Sequence, residues 1–104
     1  MIRITLHRAG DEITGFECRG HAGYAESGSD IVCAAVSALT TTCANALETV
    51  AGVIPGVEAG EGRMRLRLPE NAGHDAQVIL LSMLQGLRDV AESYPRYLQL
   101  NEKS

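Results

Sequence analysis

Cys33 and His21 are the residues whose types and spacing could do chemistry. Both fall in GHAGYAESGSDIVCAAVS, which runs from Gly20 to Ser37. A cysteine attacks as its thiolate, and that anion needs a positive neighbourhood or a nearby base to form. Histidine is the side chain suited to take and return such a proton near neutral pH. With Ser29 or Asp30 as N-cap of the helix that starts here, Cys33 lands in the first turn. The positive end of the helix dipole there favours thiolate over thiol. Asp30, Cys33, Ser37 and Thr40 recur every three or four residues and form a small polar stripe able to face a cleft. Cys33 lies about 100° around the helix axis from Val32, which belongs to the apolar stripe.

His21 precedes Cys33 by twelve positions, a stretch that spans about 40 Å when extended. The two side chains meet only where the loop folds back, and Gly20, Gly23 and Gly28 permit such a turn. His7 falls on the outward register of the first strand and His74 near the start of a later helix, so both read as solvated surface. Plainer readings stand beside the chemical one. Cys33 is a small packed residue and His21 incidental; Ser37 is a helix contact, Asp30 a cap and Glu26 a loop charge. Cys43 sits on the apolar stripe and is expected to be buried, and Cys18 reads as a strand residue. A redox pair of Cys33 and Cys43 is excluded by geometry, since ten helical residues separate them by about 15 Å.

The elements that must position these residues follow from periodicity. Ile2, Ile4 and Leu6 alternate with Arg3, Thr5 and His7 as a strand, and Ile13 to Arg19 resumes after a turn at Ala9–Asp11. Val32, Val36, Leu39, Cys43, Leu47 and Val50 carry the helical stripe that Gly52, Pro55 and Gly56 end. Met64, Leu66 and Leu68 alternate with Arg63, Arg65 and Arg67, a strand with a basic outer face, and Val57–Ala59 is its hairpin partner. Leu80, Leu84, Leu87 and Ala91, widened by Ile79, Met83 and Val90, line a second helix over 74–92, which Pro95 stops. The order is ββαββα with room for a short last strand over Tyr97–Asn101. This predicts a two-layer α+β fold, a single domain over residues 1–104, with both helices on one face of a mostly antiparallel sheet.

The 104 residues carry a net charge of −4 and are 45% hydrophobic and 21% charged, the balance of a soluble globular protein. No block of Lys or Arg marks a nucleic-acid partner, and no apolar run approaches the ~20 residues that span a bilayer. The N-terminus reads as a strand and not as a signal peptide, which points to the cytoplasm. Three cysteines without a C-x-x-C pair argue against a disulfide framework and a structural zinc site, and no cofactor is called for.

Gly20-His21-Ala22, a short glycine-containing loop, and then Gly28-x-Asp30-Ile31-Val32-Cys33-Ala34-Ala35-Val36-Ser37 resemble the signature of the bacterial ribosomal-processing cysteine protease family Prp. The second helix leading into Tyr94-Pro95-x-Tyr97 is similar to that family's ending, so the resemblance covers most of the chain. It implies an endopeptidase in which Cys33 is the nucleophile and His21 the general base. Asp30, Ser37 and Gly20 match supporting positions, and backbone N–H groups near the helix start would hold the oxyanion. It further implies removal of the N-terminal extension of large-subunit ribosomal protein twenty-seven, a homodimer, and a mobile segment of Gly23, Tyr24, Ala25, Glu26, Ser27 and Gly28 ordered by substrate. Without peptide, His21 and Cys33 are then expected too far apart to hydrogen-bond. The competing reading is a non-catalytic, ribosome-associated module that grips a peptide without cutting it.

Overall fold

Alternation of apolar and polar residues builds the first hairpin in the computed structural model, which describes residues 1–26 and 29–104. Strands β1 (Ile2–Ala9) and β2 (Glu12–Arg19) pair antiparallel, with Ile2, Ile4, Leu6, Ile13 and Phe16 buried. Helix α1 (Ile31–Thr49) follows, then the hairpin β3 (Gly56–Gly60) and β4 (Arg63–Arg67), helix α2 (His74–Ser93) and β5 (Leu98–Lys103). The sheet order is β3-β4-β2-β1-β5. Every pairing is antiparallel except β1 with β5, because the chain crosses through α2 from one side of the sheet to the other edge. This is the expected α+β architecture, with the last strand present.

Both helices bury their stripes into one core with the inner face of the sheet. Phe16, the only phenylalanine, is fully buried there beside Leu66, Leu80 and Leu84, and each such side chain contributes about 1.5–3 kcal/mol. The helices approach closely at Gly86, where an added Cβ would lie 2.6 Å from Leu39 Cδ2.

Two details differ from the periodic reading. Val50 is exposed because α1 ends at Thr49; Val50 is the C-cap, and its N–H donates to the Ala46 carbonyl at 2.8 Å. Thr40 is buried, its hydroxyl donating back to the Val36 carbonyl at 2.9 Å, which removes the cost of placing a polar group in the core. The expectation that no segment has membrane-span length also needs correction. The 19 residues of α1 are long and apolar enough to cross a bilayer. Their apolarity has another cause here, since Val32, Val36, Cys43 and Leu47 pack in the core.

Candidate active site

The end of β2 and the start of α1 converge on one cleft. Gly20 closes β2 at φ 93°, a left-handed conformation that side chains rarely adopt. Its N–H donates to the Gly62 carbonyl at 2.8 Å, and a Cβ there would lie 2.5 Å from the Met1 carbonyl oxygen. That turn sets His21 against the β3–β4 connection. Gly62, at φ 68°, leaves open the space beside the imidazole; a Cβ at Gly62 would be 2.9 Å from His21 Nε2. Ala22 is buried, and its N–H donates to Cys33 Sγ at 3.3 Å. The cleft has a volume of about 280 Å³ and is lined by His21, Cys33, Val36, Ser37, Thr40 and Thr41 from one side. Ile2, Cys18, Gly20, Gly60, Gly62, Arg63 and Met64 complete it from the sheet.

Asp30 organises the helix start. Its Oδ1 accepts from the amides of Val32 and Cys33, both at 3.0 Å, and its Oδ2 accepts from Tyr24 and Ala25 at 3.0 and 3.4 Å. One carboxylate thus ties the preceding loop to the first turn of α1. Those amide bonds, the Cys33 one foremost, outweigh desolvation and hold the carboxyl below the usual Asp range. A depressed value in the folded state means the stabilisation is present above the unfolded value, about 3.9, and is lost as pH falls through the folded one. Asp30→Asn is therefore expected to lower Tm at neutral pH and to flatten its decline in acid, measured by thermal melts from pH 2 to 7. A profile parallel to the wild type's would refute this. The loop is also held by Tyr24, whose ring meets Tyr94 and Tyr97 edge-on at centroid distances of 5.5 and 5.1 Å.

Of the residues singled out in the sequence, His21, Cys33, Ser37, Gly20 and Thr40 share the cleft, while Asp30 sits behind the helix start and caps it. No hydrogen bond joins His21 to Cys33 among the described residues, and the imidazole rests instead beside Gly62. Gly23, Tyr24, Ala25 and Glu26 are exposed, whereas Ser27 and Gly28 lie outside the described residues. His74 is exposed, and His7 sits 3.8 Å from Glu17 on the outer sheet face. Among the described residues no group of three or more His, Cys, Asp or Glu is placed to hold a metal ion.

Comparison with known proteins places this arrangement. The family profile described as Cysteine protease Prp matches residues 1–99. The chain belongs to the Prp cysteine protease family. A Bacillus subtilis (strain 168) Prp, named a ribosomal processing cysteine protease, is 35% identical over 107 aligned positions, 96% of each chain. Its Staphylococcus aureus (strain Mu50) namesake is 32% identical over 98% of this chain and 97% of its own. The crystal structure of the essential S. aureus Prp with a covalently linked product peptide superposes with a TM-score of 0.94 at 30% identity, covering 99% of this chain and all of the other. The same protease with a substrate peptide gives 0.88 at 29% identity, again over 99% and 100% of the two chains.

Within this Prp fold, three of the amides at the start of α1 are already engaged. The amides of Val32 and Cys33 are engaged by the Asp30 side chain, and that of Ala34 by the Asp30 carbonyl at 3.0 Å. These helix-start donors are not free for an oxyanion. Sequence reasoning missed two residues that line the cleft, Cys18 and Gly62, and the Ala22 amide that bonds Cys33 Sγ. Cys18 shares the inner register of β2 with Phe16, a signal that was available. Nothing in Gly60-Glu61-Gly62 separates it from an ordinary hairpin turn.

The three thiols differ in kind. Burial, and secondarily the neighbouring Cys33, pushes the Cys18 thiol up to about 11, and burial alone does the same for Cys43. Both are thus protonated at neutral pH. Iodoacetamide at pH 7.5 is expected to give a single adduct, mapped by peptide mass spectrometry to Cys33, with Cys18 and Cys43 reacting only towards pH 11 or on unfolding. Early labelling of Cys18 would count against this assignment.

Proposed function

We propose that this chain is an endopeptidase with a Cys33–His21 dyad that removes the N-terminal extension of large-subunit ribosomal protein twenty-seven. The observation that carries the reading is Cys33 Sγ at the mouth of helix α1, inside the cleft that His21 also lines and fixed by the Ala22 N–H at 3.3 Å. The S. aureus Prp captured with covalently linked product peptide supports it, since a peptide product bonded to the protein is what a thiol nucleophile leaves.

In the proposed sequence, His21 takes the Cys33 proton and the thiolate attacks the scissile carbonyl carbon. His21 then returns the proton to the departing amine, so the C–N bond breaks and a thioester remains. Water, deprotonated by His21, attacks the thioester and releases the new carboxyl terminus with the free thiol. Asp30 acts at one remove: it holds the first turn of α1 and the amides of Tyr24 and Ala25 in place. Peptide in the cleft turns the His21 ring, still packed against Gly62, towards Cys33, so the dyad is complete only with substrate present. The protein acts as a cytoplasmic homodimer.

The test is incubation with a peptide spanning the extension and the first residues of the mature protein. Two fragments meeting at the extension boundary, identified by mass spectrometry, are expected. A peptide that binds and stays intact would support the peptide-gripping module instead.

A further inference from the structure

The strand register gathers charges that the linear sequence disperses. Arg3 of β1 lies opposite Arg19 of β2, and Arg19 lies opposite Arg63 of β4. Arg65 and Arg67 continue the same side of β4, and Lys103 pairs with His7 at the far edge. These six exposed residues are six of the chain's nine Lys and Arg, all on the sheet face turned away from the helices. Among the described residues only Glu17 and Glu58, in register with Arg65, oppose them there. The face carries +4 and the rest of the molecule −8 in a chain of net −4.

Glu17 pairs with Arg65 at 3.3 Å and lies 3.8 Å from His7. Arg3, Arg19, Arg63, Arg67 and Lys103 form no ion pair among the described residues. Three arginines side by side on neighbouring strands, about 4.8 Å apart, repel one another and destabilise the sheet. A second copy of this face would add to that repulsion, so self-association does not explain it. A polyanion does.

We infer that this face docks on the phosphodiester backbone of an RNA duplex. Five of the six cations are arginines, whose planar fork matches phosphate oxygens better than an ammonium does. The cations run in two directions, across three strands and down β4 at about 6.7 Å intervals, which suits a surface of regularly repeated charge. Among the described residues no Phe, Tyr or Trp lies among them, so backbone and shape are read and bases are not. The choice of RNA over DNA rests on the proposed ribosomal substrate. Arg63 also lines the candidate cleft, which sets the docked face beside the peptide site.

Fluorescence anisotropy with a labelled 16-base-pair RNA duplex tests the idea on two variants of equal charge. Arg3→Gln/Arg19→Gln removes two cations from the face, and Arg88→Gln/Arg96→Gln removes two from elsewhere. The slope of log K against log salt is expected to fall by about 1.5–2 for the first pair and to stay put for the second. The face variant is also expected to melt at a higher temperature than the wild type, because like charges are relieved. No binding by the wild type at 50 mM salt, equal slopes for both pairs, tighter binding to the matching DNA duplex, or displacement of RNA by polyglutamate of equal charge would each overturn the inference. So would a change of oligomeric state in the face variant alone. Cleavage of a short peptide, read in parallel, keeps the two proposals separate: an inactive wild type that still binds RNA through this face sinks the protease assignment and leaves the face standing.

Discussion

Cys33→Ala is expected to lower kcat/KM for peptide cleavage by about four to six orders of magnitude while leaving peptide binding and the fold in place. The loss is large because the variant removes the attacking atom and not a contact that tunes it. The fold survives because Asp30 caps α1 through the Cys33 backbone N–H, not through its side chain. The cost to stability is the orphaned Ala22 N–H, which loses its sulfur acceptor at 3.3 Å, a penalty of about 1–3 kcal/mol for a buried donor. Cys43→Ala is the matched comparison: Cys43 lies in the core at 3% exposure, so its truncation costs stability and spares cleavage. Measured side by side with circular dichroism melts and a quenched-fluorescence peptide, both variants should melt below the wild type and only Cys33→Ala should lose cleavage. Cleavage retained by Cys33→Ala would remove Cys33 from the reaction and with it the proposed mechanism.

How far the chain could be read in advance follows from where its signals are local. Ile2, Ile4 and Leu6 announce β1 because alternation is written into adjacent positions, and Asp30 announces the start of α1 because capping acts over three residues. The pairing of β1 with β5 spans almost the whole chain, and neither strand carries a mark of its partner. The cleft divides in the same way. His21 and Cys33 stand out by residue type and by their places at a strand end and a helix start. Gly62 contributes by lacking a side chain next to a residue forty-one positions away, and the Ala22 amide contributes through its backbone. Neither leaves a trace in residue type. The basic face is the same lesson in charge: Arg3, Arg19 and Arg63 are far apart in sequence and adjacent only through the register of three strands.

Gly62→Ala is expected to cut kcat by about ten- to a hundredfold with KM little changed. An added methyl would lie 2.9 Å from His21 Nε2, so the ring must move, and misplacing a catalytic group by about 1 Å costs on the order of a hundredfold in rate. The substitution has a second effect that must be separated from the first. Gly62 has φ 68°, and a residue with a Cβ held there costs about 1–2 kcal/mol. Gly52 supplies the control, for it sits at φ 67° with nothing within 4 Å of an added Cβ. Gly52→Ala carries the backbone strain without the collision. Both variants should therefore lose similar stability in urea titrations, and only Gly62→Ala should lose turnover. Equal turnover in the two variants would mean that His21 takes no part in the chemistry from this position, and that the base must be sought elsewhere in the cleft.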